Sequence, residues 1–117
     1  MTPYEIAKLA VKALDDKKGR DIVALKTESV TVLADYFIIA TASSAPHAKT
    51  LVEECDRLLS EAGEPPIRRE GYRSDNWVLL DFGSVIVHVF LEETREFYAL
   101  ERLWADAERL DVNTMLE

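Results

Sequence analysis

The sequence predicts an α/β fold of about five strands flanked by helices, and three observations carry that prediction. Long segments near both ends and in the middle of the chain space their apolar residues at a helical period. Tyr36 to Ala40 is an unbroken apolar run too short for a lone helix. Trp77 to Phe82 and Val85 to Phe90 are two further apolar runs, divided by Gly83-Ser84, the mark of a tight hairpin. With 117 residues the chain has the size of one domain and no room for a second independent core. A single domain over 1–117, with an ordered core at about 2–107, is the expectation.

The elements follow in order. Thr2-Pro3-Tyr4-Glu5 reads as a capping box, with Thr2 as N-cap, Pro3 at the first helical position and Glu5 reaching back. Ile6, Leu9, Ala10, Ala13 and Leu14 then share one helical face, and Lys17-Lys18-Gly19 ends the helix near residue 18. Asp21 to Lys26 and Tyr36 to Ala40 read as strands; the second, apolar on both faces, belongs at the centre of the sheet. Ser43-Ser44-Ala45-Pro46 opens a second helix, whose apolar stripe from Ala48 to Ala62 runs until Gly63. Beyond the Pro65-Pro66 break, Ile67 to Glu70 makes a short edge strand before a polar turn at Arg73 to Asn76. After the hairpin, Glu92 to about Ala107 reads as one helix with Phe97, Leu100, Leu103, Trp104 and Ala107 on one side, and the last ten residues are expected to fray.

The hairpin is the informative element. A two-residue turn at Gly83-Ser84 sets Phe82 opposite Val85, Leu80 opposite Val87 and Val78 opposite Val89, a wholly apolar face that builds the core. Its reverse pairs Trp77 with Phe90, Leu79 with His88 and Asp81 with Ile86, mixing aromatics with a carboxylate and an imidazole. An aromatic anchor beside a few polar groups has the composition of an interface centre, with Trp77 the leading residue. The alternative is that helices cover this face too and that Asp81 and His88 hydrogen-bond internally; for His88 taken alone, that is the expected use.

Composition narrows the function classes. Asp and Glu number 22 against 14 Lys and Arg, a net charge of −8, which disfavours direct nucleic-acid readout because phosphate contacts need clustered cations. A basic protein is the better electrostatic match. No apolar run is long enough to span a membrane, and the N-terminus lacks a basic stretch followed by an apolar one, so a cytoplasmic location is expected. The single cysteine, Cys55, lies on the apolar stripe of its helix and reads as core. Ser43 and Ser44 near His47 are ordinary N-cap and first-turn residues. The sharpest enzyme alternative joins Asp35 to Asp81 as magnesium-binding carboxylates of a nucleotidyltransferase, but the chain has neither a Gly-x-Gly loop nor an Asp-x-Asp pair. Neither cofactor nor metal is expected. Exposed sheet edges or an aromatic face leave a homodimer open as well.

Three segments together resemble the Iojap, or ribosomal silencing factor (RsfS), family: Asp35 to Thr41, Trp77 to Phe90 with its Trp-x-Leu-Leu-Asp and Val-His-x-Phe cores, and Arg95 to Trp104. The resemblance implies a mixed sheet distantly similar to that of nucleotidyltransferases but without their catalytic residues. It also implies binding to the large ribosomal subunit through ribosomal protein fourteen, which sterically blocks subunit association and represses translation when nutrients are scarce. Carried across at matching positions, the family pattern points to Trp77, Asp81 and His88, with Asp35, Tyr36, Glu70 and Gly71 as contributors. Ser84 departs from it, since many relatives carry an acid after the glycine.

Overall fold

The computed structural model describes residues 1–71 and 76–117. Helix α1 (Pro3–Asp16) begins at the capping box read from the sequence: the Glu5 N–H donates to Thr2 Oγ1 at 3.1 Å and the Thr2 N–H to Glu5 Oε1 at 2.8 Å. Strands β1 (Arg20–Lys26) and β2 (Tyr36–Ala42) follow, then α2 (Ala45–Glu61) with Ser44 as N-cap. The chain continues through β3 (Arg68–Glu70), β4 (Trp77–Asp81), β5 (Val85–Leu91), α3 (Glu92–Tyr98), α4 (Leu100–Leu103), β6 (Glu108–Leu110) and α5 (Val112–Met115). Of the expected polar turn at Arg73 to Asn76, residues 73–75 lie outside the described residues.

Among the described residues six strands form one sheet in the order β3-β4-β5-β2-β1-β6. β2 and β5 run parallel and the other neighbours antiparallel, so the sheet is mixed. Every residue of β2 is buried, as its unbroken apolar run requires of a strand covered on both faces. The parallel pairing of β2 and β5 needs a crossover, and α2 supplies it by packing with α1 on one face of the sheet. That face holds the larger core: Ile6, Ala10, Leu14, Leu51, Val52 and Leu59 from the helices meet Ile38, Val78, Leu80, Val85, Val87 and Val89 from the strands. On the reverse, Val23, Leu25, Phe37, Ile39 and Phe90 form a smaller cluster closed by Leu100, Trp104 and Ala107. The C-terminal stretch therefore covers β1, β2 and part of β5, while among the described residues Trp77, Leu79 and Asp81 on the reverse of β4 are left half-buried.

Two expectations are corrected at the C-terminus. The helix read over residues 92–107 breaks at Ala99, which takes a left-handed conformation (φ 47°, ψ 53°) and divides α3 from α4. The break rotates the apolar residues out of register: Leu100 and Trp104 reach the sheet, while Phe97 is left 76% and Leu103 67% exposed. The last ten residues do not fray. β6 pairs with Ala24 to Lys26 of β1, giving a sixth strand where about five were expected, and α5 inserts Met115, 2% exposed, into the main core beside α1. A three-residue edge strand held by backbone hydrogen bonds leaves almost no side-chain period to read.

Candidate partner-binding face

The hairpin register is the one read from the sequence: Trp77 pairs with Phe90, Leu79 with His88 and Asp81 with Ile86. Side chains alternate across a strand, so these six share one face, and Val78, Leu80, Phe82, Val85, Val87 and Val89 are sealed on the other beneath α1 and α2. Pairing of Arg68 with Asp81 and of Glu70 with Leu79 extends the open face onto β3.

Trp77 is its centre. Its indole stacks on Phe90 at 4.9 Å between ring centroids and lies 4.6 Å from the ring of Tyr98. The indole Nε1–H donates to His88 Nδ1 at 3.2 Å. Accepting this bond places the proton of the neutral imidazole on Nε2. His88 is 5% exposed, and among the described residues its Nε2 has no hydrogen-bond partner. Burial pushes the imidazole down to about 4, so it is uncharged near neutral pH. His88 thus supports Trp77 from beneath and does not itself present a surface.

Trp77 stands between two hollows. One, of about 250 Å³, is lined by Glu70, Gly71, Trp77 and Leu79. The other, of about 540 Å³, is lined by Asn76, Trp77, Glu93, Thr94, Phe97 and Tyr98. Gly71 has a φ of 90°, and a Cβ there would fall 2.1 Å from the Trp77 carbonyl oxygen, so only glycine lets the end of β3 lie this close to Trp77. Asp81 accepts from the Gly83 N–H at 2.8 Å and from Arg68 Nε at 3.1 Å, and Arg68 also pairs with Glu70 at 3.2 Å. Glu92, Glu93 and Glu96 are exposed on α3 and make no ion pair among the described residues.

Five of the seven residues singled out in the sequence are thus brought together: Trp77, Asp81, His88, Glu70 and Gly71. Asp35 sits at the head of β2, where its N–H donates to the Ser84 carbonyl at 2.8 Å and its carbonyl accepts from the Thr27 N–H at 2.8 Å. Asp35, at the head of β2, and Asp81, on β4, have β5 between their strands in the sheet order. Tyr36 lies on the opposite face, packed edge-on against Tyr4 at 6.2 Å, and its burial raises the phenol pKa. Tyr98, Phe97 and Arg68 were not singled out for this face. The adjacent aromatics Phe97-Tyr98 were the available signal, masked by an apparently continuous helix.

The remaining nucleophilic and imidazole groups are used structurally. His47 Nδ1 accepts from the Ser43 N–H at 2.9 Å and its Nε2 lies 2.8 Å from the Lys17 carbonyl, tying the start of α2 to the end of α1. Cys55 is buried, and desolvation pushes its thiol well above the usual range. Among the described residues no three His, Cys, Asp or Glu side chains converge as a metal site, and no helix is long and apolar enough to cross a membrane.

A mixed-sheet α/β domain with a half-buried aromatic face beside acidic side chains is the class of molecule that fold and surface define. The family model for the ribosomal silencing factor during starvation (RsfS) matches residues 1–117, and the chain belongs to that family. It is 37% identical over 116 residues to the ribosomal silencing factor RsfS of Halalkalibacterium halodurans, covering 99% of each chain. Against RsfS of Bacillus subtilis it is 38% identical, covering 97% of this chain and 96% of the relative. The crystal structure of a Chromobacterium violaceum protein, 43% identical, superposes with a TM-score of 0.87 over 90% of this chain and 88% of that one. The resemblance drawn from the three sequence segments is therefore correct.

Proposed function

We propose that this protein docks on the large ribosomal subunit through the basic ribosomal protein fourteen and, by occupying the surface where the small subunit would seat, hinders subunit joining and represses translation. The observation that carries the proposal is Trp77, half-buried and held by Phe90, His88 and Tyr98 between two hollows. A preorganised aromatic anchor loses little conformational freedom on binding, and such residues dominate interface energies. The exposed acids of α3 and the net charge of −8 favour approach to a cationic protein over RNA. No turnover is required, and the lack of a Gly-x-Gly loop and of an Asp-x-Asp pair in the sequence disfavours the nucleotidyltransferase alternative. Self-association through the same aromatics is a second reading, favoured by the exposure of Phe97 and Leu103; it would compete with docking.

Co-sedimentation with separated ribosomal subunits tests the proposal. The parent chain should pellet with large subunits only, and a folded Trp77→Ala variant should lose about thirtyfold in affinity, the effect of removing a hot spot worth roughly 2 kcal/mol. Equal pelleting of parent and variant would reject the surface.

A further inference from the structure

We infer that Arg95 is a positioning residue for the docking face: its buried guanidinium fixes the break between α3 and α4 and so holds Tyr98 and Phe97 beside Trp77. The inference rests on the docking role proposed above and adds how one wall of that face is kept in place.

Helix α3 has no fully buried residue, so it lacks the apolar anchor that normally seats a helix on a sheet. Its tether is polar. Arg95 has a side chain only 11% exposed, and its Nη1 donates to the Asp21 carbonyl at 2.7 Å and to Thr41 Oγ1 at 2.8 Å. Nε and Nη2 face the two carboxylate oxygens of Glu101 at 3.4 Å each, a fork-to-fork arrangement. One side chain therefore joins β1, the end of β2, α3 and α4.

Both ends of this bridge are strained in the same way. Asp21 has a φ of 49° and lies at the irregularity between Arg20 and Val23 in the β1–β2 pairing, which leaves its carbonyl free for Arg95. Ala99 has a φ of 47°, and its N–H donates to the Arg95 carbonyl at 2.8 Å. An alanine in the left-handed region persists only where surrounding contacts over-determine it. The Arg95–Glu101 pair spans the strained residue and supplies such a contact.

The consequence reaches the open face through the intervening residues. Phe97 and Tyr98 lie between Arg95 and the break, with Tyr98 4.6 Å from Trp77 and Phe97 5.1 Å from Tyr98. A helix continued through Ala99 would return Phe97 to the stripe shared with Leu100 and Trp104 and dismantle the larger hollow. Lysine cannot substitute, because a single ammonium lacks the planar fork that meets a carboxylate and two acceptors on separate strands at once.

The test combines large-subunit co-sedimentation, thermal unfolding and acrylamide quenching of Trp77 fluorescence in a Trp104→Phe background, with Trp77→Ala as the binding reference. Arg95→Lys, Arg95→Met and the near-isosteric Thr41→Val, which removes one acceptor far from the open face, are compared with the parent. Both Arg95 variants should bind about tenfold more weakly with Trp77 more readily quenched, and Thr41→Val should move both readouts the same way by a few-fold. Adding Ala99→Gly to Arg95→Met should recover part of the binding, since glycine takes the left-handed conformation without steric cost. Weakened binding with unchanged quenching, or no recovery by Ala99→Gly, would overturn the positioning role. So would unchanged binding by folded Thr41→Val and Arg95→Lys variants while Trp77→Ala loses it. If Trp77→Ala itself binds normally the docking role fails, and the quenching data alone then decide whether Arg95 positions the aromatics.

Discussion

Protonation of His88 should couple stability to pH in a window fixed by two pKa values. In the folded chain burial holds the imidazole at about 4, against an ordinary histidine value of 6.5 in the unfolded chain. A depressed folded-state pKa means that the unfolded chain binds the proton first. The contribution of neutral His88 is therefore fully present above pH 6.5 and is lost as pH falls toward 4. Each pH unit inside the window is worth about 1.4 kcal/mol, so moving from pH 7 to pH 5 should remove roughly 2 kcal/mol. The chemistry is local: a protonated Nδ1 can no longer accept from the Trp77 indole, and a charge is placed among Phe37, Trp77 and Phe90. Urea unfolding of the parent and of His88→Gln at both pH values measures it, because glutamine offers Trp77 an acceptor but does not titrate. The parent should lose roughly 2 kcal/mol more than the variant between pH 7 and pH 5. Equal losses would refute the coupling.

Three further outcomes follow from the packing. Gly71→Ala forces a side chain into a left-handed position and against the Trp77 carbonyl; urea unfolding should show a loss of roughly 2 kcal/mol or more, with weaker large-subunit binding because Trp77 is displaced. A chain ending at Ala107 loses the β6–β1 pairing and the buried Met115, and calorimetry should find it melting more than about 10 °C lower, where a tail without structural role would leave the melting temperature unchanged. Cys55 should react with an aromatic disulfide reagent only at the rate of global or local opening, since the thiol is buried and its ionisation suppressed; fast stoichiometric labelling of the native chain would contradict its placement in the core.

The sequence was legible where side chains alone decide structure. The capping box at Thr2, the stripe of α2, the buried run of β2 and the alternation that sorts Val78, Leu80, Val87 and Val89 from Trp77, Leu79, Asp81 and His88 all express burial, and all appear as read. What escaped depends on backbone conformation or distant contacts. Alanine is the best of helix formers, so nothing at Ala99 announces a left-handed break; it becomes intelligible only with Arg95 reaching Asp21, Thr41 and Glu101. β6 is polar and three residues long, and it exists because β1 offers it an edge. The open face was half legible for the same reason. The hairpin register located Trp77 and its neighbours, whereas Phe97 and Tyr98 joined them only through the re-phased helix, and Tyr36 fell on the far side of the sheet.

The most direct measurement is light scattering from separated ribosomal subunits brought together in magnesium, with the parent chain or folded Trp77→Ala added in stoichiometric excess over large subunits. The parent should suppress the rise in scattering that marks subunit joining, and Trp77→Ala should need about thirtyfold more protein for the same suppression. Joining at an undiminished rate with saturating parent protein, or equal suppression by the two chains, would contradict a role for this face in keeping the subunits apart.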